Sequence, residues 1–251
     1  MNIGPTFFSG GSGTTVLLMN MIGTLGSHVF VDESATPGTV DTIADATAVP
    51  SVIENSGNPA SQLMRNPVSN ISDRRLVRKN LTTLWANANP FGSKAWCVQT
   101  WCAIEAYQTN PGYSETLFMG GSAGMWLGVI TTAGPTHRFM LSVGNIPSAP
   151  TFSVTSSFVL DAGQLLIWHH LAATRNGDVI TLYLDGVSQG SAALSAGYVV
   201  TPATAWSVGG NYASPGAGYN FTGFMNGLRV KQGTPFFFGN FTPPTRAVVL
   251  S

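Results

Sequence analysis

In WHHLAATRNGDVITLYLDGVSQG, residues 168–190, two runs of alternating character flank Asn176-Gly177. Asn-Gly between alternating runs is the strongest short-range hairpin signal, because a type I′ turn needs positive φ at both central positions. Counting outward from that turn sets Arg175 opposite Asp178, Ala173 opposite Ile180, Leu171 opposite Leu182 and His169 opposite Leu184. Asp185-Gly186 reads as a second tight turn that returns Val187 opposite Leu184, so the stretch predicts a three-stranded meander.

The same alternation extends upstream. In AWCVQTWCAIEAY, residues 95–107, the even positions Trp96, Val98, Cys102, Ile104 and Ala106 are apolar, while the odd set holds Gln99 and Glu105. The pattern predicts a long sandwich strand with one buried and one wetter face. Cys97 and Cys102 on such a strand stand about 16 Å apart at about 3.3 Å per residue, too far for a disulfide, so both are expected reduced and buried. Val16–Asn20 and Val29–Val31 read as short strands, and residues 33–70, rich in Ala, Thr, Pro, Ser and Asn, as long loops with one or two weak strands. Arg74, Arg75, Arg78 and Lys79 form the local charge cluster; with Ser72 as N-cap their spacing suits a short helix with a solvated face, the alternative being an anion or partner patch.

Composition agrees. The 251 residues include 29 Gly and 15 Pro that punctuate runs of strand formers, and only 9% are charged, with 11 cations balancing 11 anions. No large field exists to steer nucleic acid or an anionic membrane, so neither is an expected partner. The opening MNIGPTFFSGGSG has no basic segment followed by an apolar one, and no apolar run reaches membrane-spanning length, which predicts a chain that is not Sec-secreted. The expected organisation is a flexible arm over 1–13 and one all-β domain over 14–251.

Trp168-His169-His170-Leu171-Ala172, Arg175-Asn176-Gly177 and Leu182-Tyr183-Leu184-Asp185-Gly186 together resemble the core of laminin G-like, concanavalin A-like jelly-roll domains. The resemblance extends to Val16–Asn20, Phe30–Ser34 and Cys102–Tyr107, and so spans nearly the whole chain. Phe224–Val230 followed by Gly239–Pro244 resembles the ending of such modules in bacteriophage structural proteins, although the position usually held by Asp is Asn226 here. The resemblance implies a two-sheet antiparallel jelly-roll sandwich with short helical segments at most. It also implies calcium on rim loops, for which Asp32 with Glu33 is the matching candidate, while Asp185 is better explained as a turn residue.

Catalysis finds little support. Glycoside hydrolases of this fold need two carboxylates flanking the scissile bond, and Glu105 has no acidic residue two positions away. No Gly-x-Ser-x-Gly elbow occurs. His169 reads as a hydrogen-bonded core residue beside Leu184, and His169 and His170, on opposite faces, cannot share a metal. A glycan site would combine aromatic faces with Asn groups that orient hydroxyls; Asn211, Tyr212, Tyr219 and Asn220 supply these on a Gly/Pro-rich loop, and Trp126 is a further candidate in an alternating strand.

The leading expectation is a non-enzymatic virion protein: a capsid decoration or cement protein, or an accessory tail or fibre subunit, made in the host cytoplasm and bound to other virion proteins. The alternatives are a lectin-type receptor-binding module for a host surface glycan and, third, a degenerate glycoside hydrolase. Low charge offers little colloidal repulsion, and PFFFGNF, residues 235–241, places three successive Phe where one sheet face can bury only some, so Phe237 or its neighbours are expected to meet something outside their own core. A homo-oligomer follows, with a trimer as the closed form that suits threefold positions of an icosahedral shell.

Overall fold

The computed structural model describes residues 14–19, 41–43, 47–49, 63–66, 75–78, 91–107, 114–120, 124–132, 136–144, 150–201, 206–210, 221–235 and 237–244. Among them the chain forms strands and a single 3-10 turn, Ala162–Gln164. No helix there is long and apolar enough to cross a membrane. The strands, in chain order, are β1 (Thr14–Met19), β2 (Asp41–Ile43), β3 (Thr47–Val49), β4 (Leu63–Asn66), β5 (Arg75–Arg78), β6 (Trp96–Ile104), β7 (Ser114–Met119) and β8 (Met125–Thr132). They continue with β9 (Thr136–Val143), β10 (Phe152–Thr155), β11 (Trp168–Asn176), β12 (Val179–Leu184), β13 (Val187–Ala193), β14 (Trp206–Val208) and β15 (Gly223–Gln232).

They build two antiparallel sheets, the expected jelly-roll sandwich. The first runs β13-β12-β11-β6-β15-β4-β3, with β1 on the C-terminal half of β15; the second runs β10-β9-β8-β7-β14-β5-β2. Between them lies one apolar core. Trp96, Val98, Cys102, Leu171, Ala173, Leu182 and Met225 enter from the first sheet, and Phe118, Leu127, Val129, Phe139, Leu141 and Trp206 from the second. Each set occupies alternate positions of its strands, as the pleat requires.

Three expectations need correction. The meander exists, but β11 meets β12 two residues out of the predicted register: Ala173 faces Leu182, Arg175 faces Ile180 and Asn176 faces Val179. The turn is therefore Gly177-Asp178, and positive φ falls on Gly177 (58°) and not on Asp178, the pattern of a glycine in the first central position of a type II′ turn. The type I′ signature belongs to the second turn, where Asp185 (50°) and Gly186 (80°) both have positive φ and Leu184 faces Val187 as expected. Second, β6 has no wet face, since Cys97, Gln99 and Ala103 are as buried as the core set. Third, Arg75–Arg78 is a strand between β14 and β2, not a helix; sheet pairing on both sides outweighs the four-residue spacing of the cations. Ser72, Arg74, Lys79, the Val29–Val31 strand and the arm over 1–13 lie outside the described residues. Cys97 and Cys102 are not joined in a disulfide and both are buried, as expected.

Candidate functional site

The motif that decided the fold consists of fasteners. Asp185, left-handed at the β12–β13 turn, accepts from the His170 amide through Oδ1 (2.7 Å) and holds His169 Nδ1 through Oδ2 (2.8 Å). His169 Nε2 lies 3.2 Å from Gln164 Oε1, so both ring nitrogens are engaged on the core side, where the ring meets Phe139 and Phe158 edge-on. A His–Asp pair thus exists, but its third member is an amide and no nucleophile. The neighbouring Cys102 does not supply one either, because burial pushes its thiol well above the ordinary range. Arg175, also buried, donates from Nε to Gly177 O (2.8 Å) and from its terminal nitrogens to Gly92 O and Tyr198 O. It ties the hairpin to the segments before β6 and after β13.

Of the expected site residues, Trp126 is the one whose side chain is described, and it is fully buried. Its indole N–H donates to Thr116 Oγ1 (2.9 Å), and its ring packs with Met119 and Met140. A Cβ on Gly128, two residues on, would stand 2.5 Å from that ring, so the indole lies against the glycine. Trp126 offers no face to a ligand and is corrected from platform to packing residue: alternation put it on the outward side of β8, and that side is covered.

Asn211, Tyr212, Tyr219 and Asn220 lie outside the described residues, as do Asp32 and Glu33. The residues that flank 211–220 are described. The Phe221 amide donates to Gly209 O (3.0 Å) and Gly209 N to Leu117 O (3.0 Å), so the chain leaves and re-enters the rim at one point. Thr222 O accepts from the Glu105 amide (3.0 Å), and the Thr222 amide points at Oε2 of buried Glu115 (3.4 Å). Glu115 escaped the sequence reading; its signal is a lone acid in the otherwise uncharged SETLFM strand. Near the same rim Tyr107 stacks on His137 (4.2 Å, 10°) and donates to Asp161 O (2.9 Å). Leu166 sits there half-exposed with φ of 61°, next to exposed Ile167.

On the outer face of the first sheet lies a group that the sequence reading missed. Asn226 and His170 both pair with Trp101 across β15, β6 and β11. The segment Phe237–Pro244, the strap, lies against His170 and Trp101. Phe237 stacks on Phe241 (3.6 Å, 8°), both rings stand edge-on to Tyr183, and Phe241 also meets His170 (5.7 Å). Phe237 therefore does meet something outside the sandwich core, but within its own chain, while Phe238 is 65% exposed.

Solved structures share this fold. The binding domain of botulinum neurotoxin serotype D/C matches with a TM-score of 0.61 at 13% identity, over 89% of this chain and 50% of that one. The binding domain of Paraclostridial Mosquitocidal Protein 1 matches at 0.59 and 15%, over 88% and 49%. The chain thus spans about half the length of these toxin domains. Domain 4 of AbnA, a GH43 extracellular arabinanase from Geobacillus stearothermophilus solved in complex with arabinotriose, matches at 0.56 and 16%, over 88% and 93%. No curated protein matches the chain in sequence. Residues 80–234, well over half the chain, match the Laminin_G_3 family model, and with the sandwich described above they make this chain a member of the concanavalin A-like lectin/glucanases superfamily.

Proposed function

We propose that the chain is a non-enzymatic binding module that acts through its rim loops and sheet edges, and that it serves on a bacteriophage particle as a capsid decoration protein or an accessory tail or fibre subunit. The observation that carries the binding reading is the burial of both faces of β6, β11 and β15. Among the described residues this leaves no open cleft across the first sheet for a catalytic carboxylate pair. Glu115 is turned to a backbone amide and Asp185 to two histidine groups. The particle reading rests on the Phe224–Val230 and Gly239–Pro244 motifs and on the 9% charged content, and it includes synthesis in the host cytoplasm and assembly as a homo-oligomer, a trimer on a threefold shell position.

Mass spectrometry of purified particles tests the role. The chain is expected there in a copy number that fits a symmetric shell or tail, and its absence from particles overturns the assignment. Release of reducing ends from any polysaccharide by the purified chain overturns the non-enzymatic reading. Light scattering is expected to give a multiple of 26.3 kDa; a clean monomer that also fails to bind particles contradicts the assembly reading.

A second reading, a lectin-type module for a surface glycan, is favoured by the 211–220 loop. Two Tyr and two Asn stand in that stretch of the sequence, whose flanking residues are joined by backbone hydrogen bonds, and the fold recurs in an arabinanase domain solved with arabinotriose. Glycan-array binding that is lost in Tyr212→Ala and Tyr219→Ala supports it; no binding by the parent chain removes this rim reading.

A further inference from the structure

The outer face of the first sheet holds chemistry that neither fold nor fasteners explain. Asn226, Trp101 and His170 stand in one row across three adjacent strands. Asn226 and His170 are fully buried, and neither amide atom of Asn226 nor either ring nitrogen of His170 has a hydrogen-bond partner. Buried polar groups are nearly always paired, and an orphan costs about 1–3 kcal/mol. On the same strands Thr100 Oγ1 donates to Asn226 O (3.1 Å) and His169 is bonded at both nitrogens, while the Trp96 indole nitrogen is a further buried orphan on the core side.

The strap lies against the His170 and Trp101 part of this row and leaves the His170 ring nitrogens without a partner. Among the described residues it forms no ladder with β12 or β6, and its fastenings include Phe241 N to Gly186 O (2.9 Å), Ser188 N to Asn240 Oδ1 (2.9 Å) and Trp101 Nε1 to Pro244 O (3.1 Å). Over His170 it lays the Phe241 ring, and both Phe237 and Phe241 stand against the neighbouring Tyr183. It also lies beyond residue 234, where the match to the family model ends.

We propose that the Asn226–Trp101–His170 row, with Tyr183 beside it, is a latent binding site for a neutral sugar, and that the strap is its intramolecular occupant. A sugar presents apolar C–H faces and neutral hydroxyls, which require aromatic surface and uncharged donors and acceptors side by side. The Asn226 amide and the His170 imidazole each offer a donor and an acceptor, and release of Pro244 adds the Trp101 indole N–H. Phe237 and Phe241 occupy the space that sugar faces would take. The three residues of the row are themselves uncharged, and both oxygens of the nearby Asp185 are engaged by the histidines. The inference stands apart from the rim-loop reading, because either place could bind without the other.

The test uses full-length chain, a panel of neutral trisaccharides and the indole N–H resonance of Trp101. Phe241→Ser loosens the strap, and Asn240→Ala removes one exposed fastening, so it keeps the test valid if Phe241→Ser fails to fold. Each folded variant is expected to bind a trisaccharide more tightly than the parent, by about tenfold if the strap is open about a tenth of the time in the parent. The Trp101 resonance should move on binding, and Trp101→Ala in the same background should abolish it. Tyr212→Ala and Tyr219→Ala should leave it unchanged, which separates this site from the rim. Strap release with no sugar bound, an ordered water alone in the row, or binding that survives Trp101→Ala overturns the proposal.

Discussion

His169 and His170 are adjacent in sequence and have opposite surroundings. The first points into the sandwich, is bonded at both ring nitrogens and closes a turn; the second points outward, is bonded at neither and lies beneath a strap. Strand alternation alone separates them. The pair shows that in a sandwich a satisfied polar residue explains the fold, whereas an orphaned one at equal depth raises a question of function.

The comparison breaks most sharply at Asp185, which serves both residues. Asp185→Ala strands His169 Nδ1 and the His170 amide together. At about 1–3 kcal/mol for each buried group, a loss on the order of 2–6 kcal/mol is expected in chemical denaturation. A loss under about half a kcal/mol would make the staple decorative. Next in size is the pH response of His170. Burial pushes its imidazole down to about 3, only partly opposed by Asp185; Trp101, Phe241 and the strap face it with no acid of their own. The folded-state pKa lies below the unfolded value of about 6.5, so the unfolded chain binds the extra proton and stability falls as pH drops from about 6.5 towards 3. The slope is roughly 1.4 kcal/mol per pH unit. His170→Phe removes that slope, and near neutral pH it is expected to cost little or to stabilise, because the orphaned nitrogens go with it.

Gly186→Val is expected to cost about 1–3 kcal/mol and also to lift the strap, because φ is 80° and a Cβ there would stand 1.9 Å from Phe241 O. It sharpens the contrast by opening the His170 side while the His169 side remains closed. The smallest effect belongs to Gly177→Ala. Its φ is 58° with open space around the added carbon, so backbone preference alone is at stake, about 1 kcal/mol.

Much of the sandwich was legible in the sequence because alternation is a local property. The strands at 14–19, 96–104 and 168–193 follow from it, and so does the fate of His169. Register was less legible: Asn176-Gly177 and Asp185-Gly186 both suit a type I′ turn, and a slip of two residues keeps every side chain on its own face, so the hydrophobic pattern is silent about it. The burial of Gln99 and Ala103 could not be read from β6, because the Trp101 indole on that face is held by Pro244, 143 residues away. Trp126 failed as a ligand platform for a similar reason, since outward on a strand did not mean exposed. One trace of the latent row was present, namely Asn226 at a position where the resembling motif usually carries Asp. A neutral amide is compatible with burial there, whereas an unpaired carboxylate would not be.

Whether the strap seals His170 in solution is decided most directly by ¹⁵N-resolved spectra of its imidazole through an acid titration. A sealed ring stays neutral well below pH 6 and takes its proton only near the value of about 3 set by burial, and in Phe241→Ser it returns towards the ordinary value of about 6.5. A parent chain whose His170 already titrates near 6.5 would contradict the sealed row and the strap as its occupant.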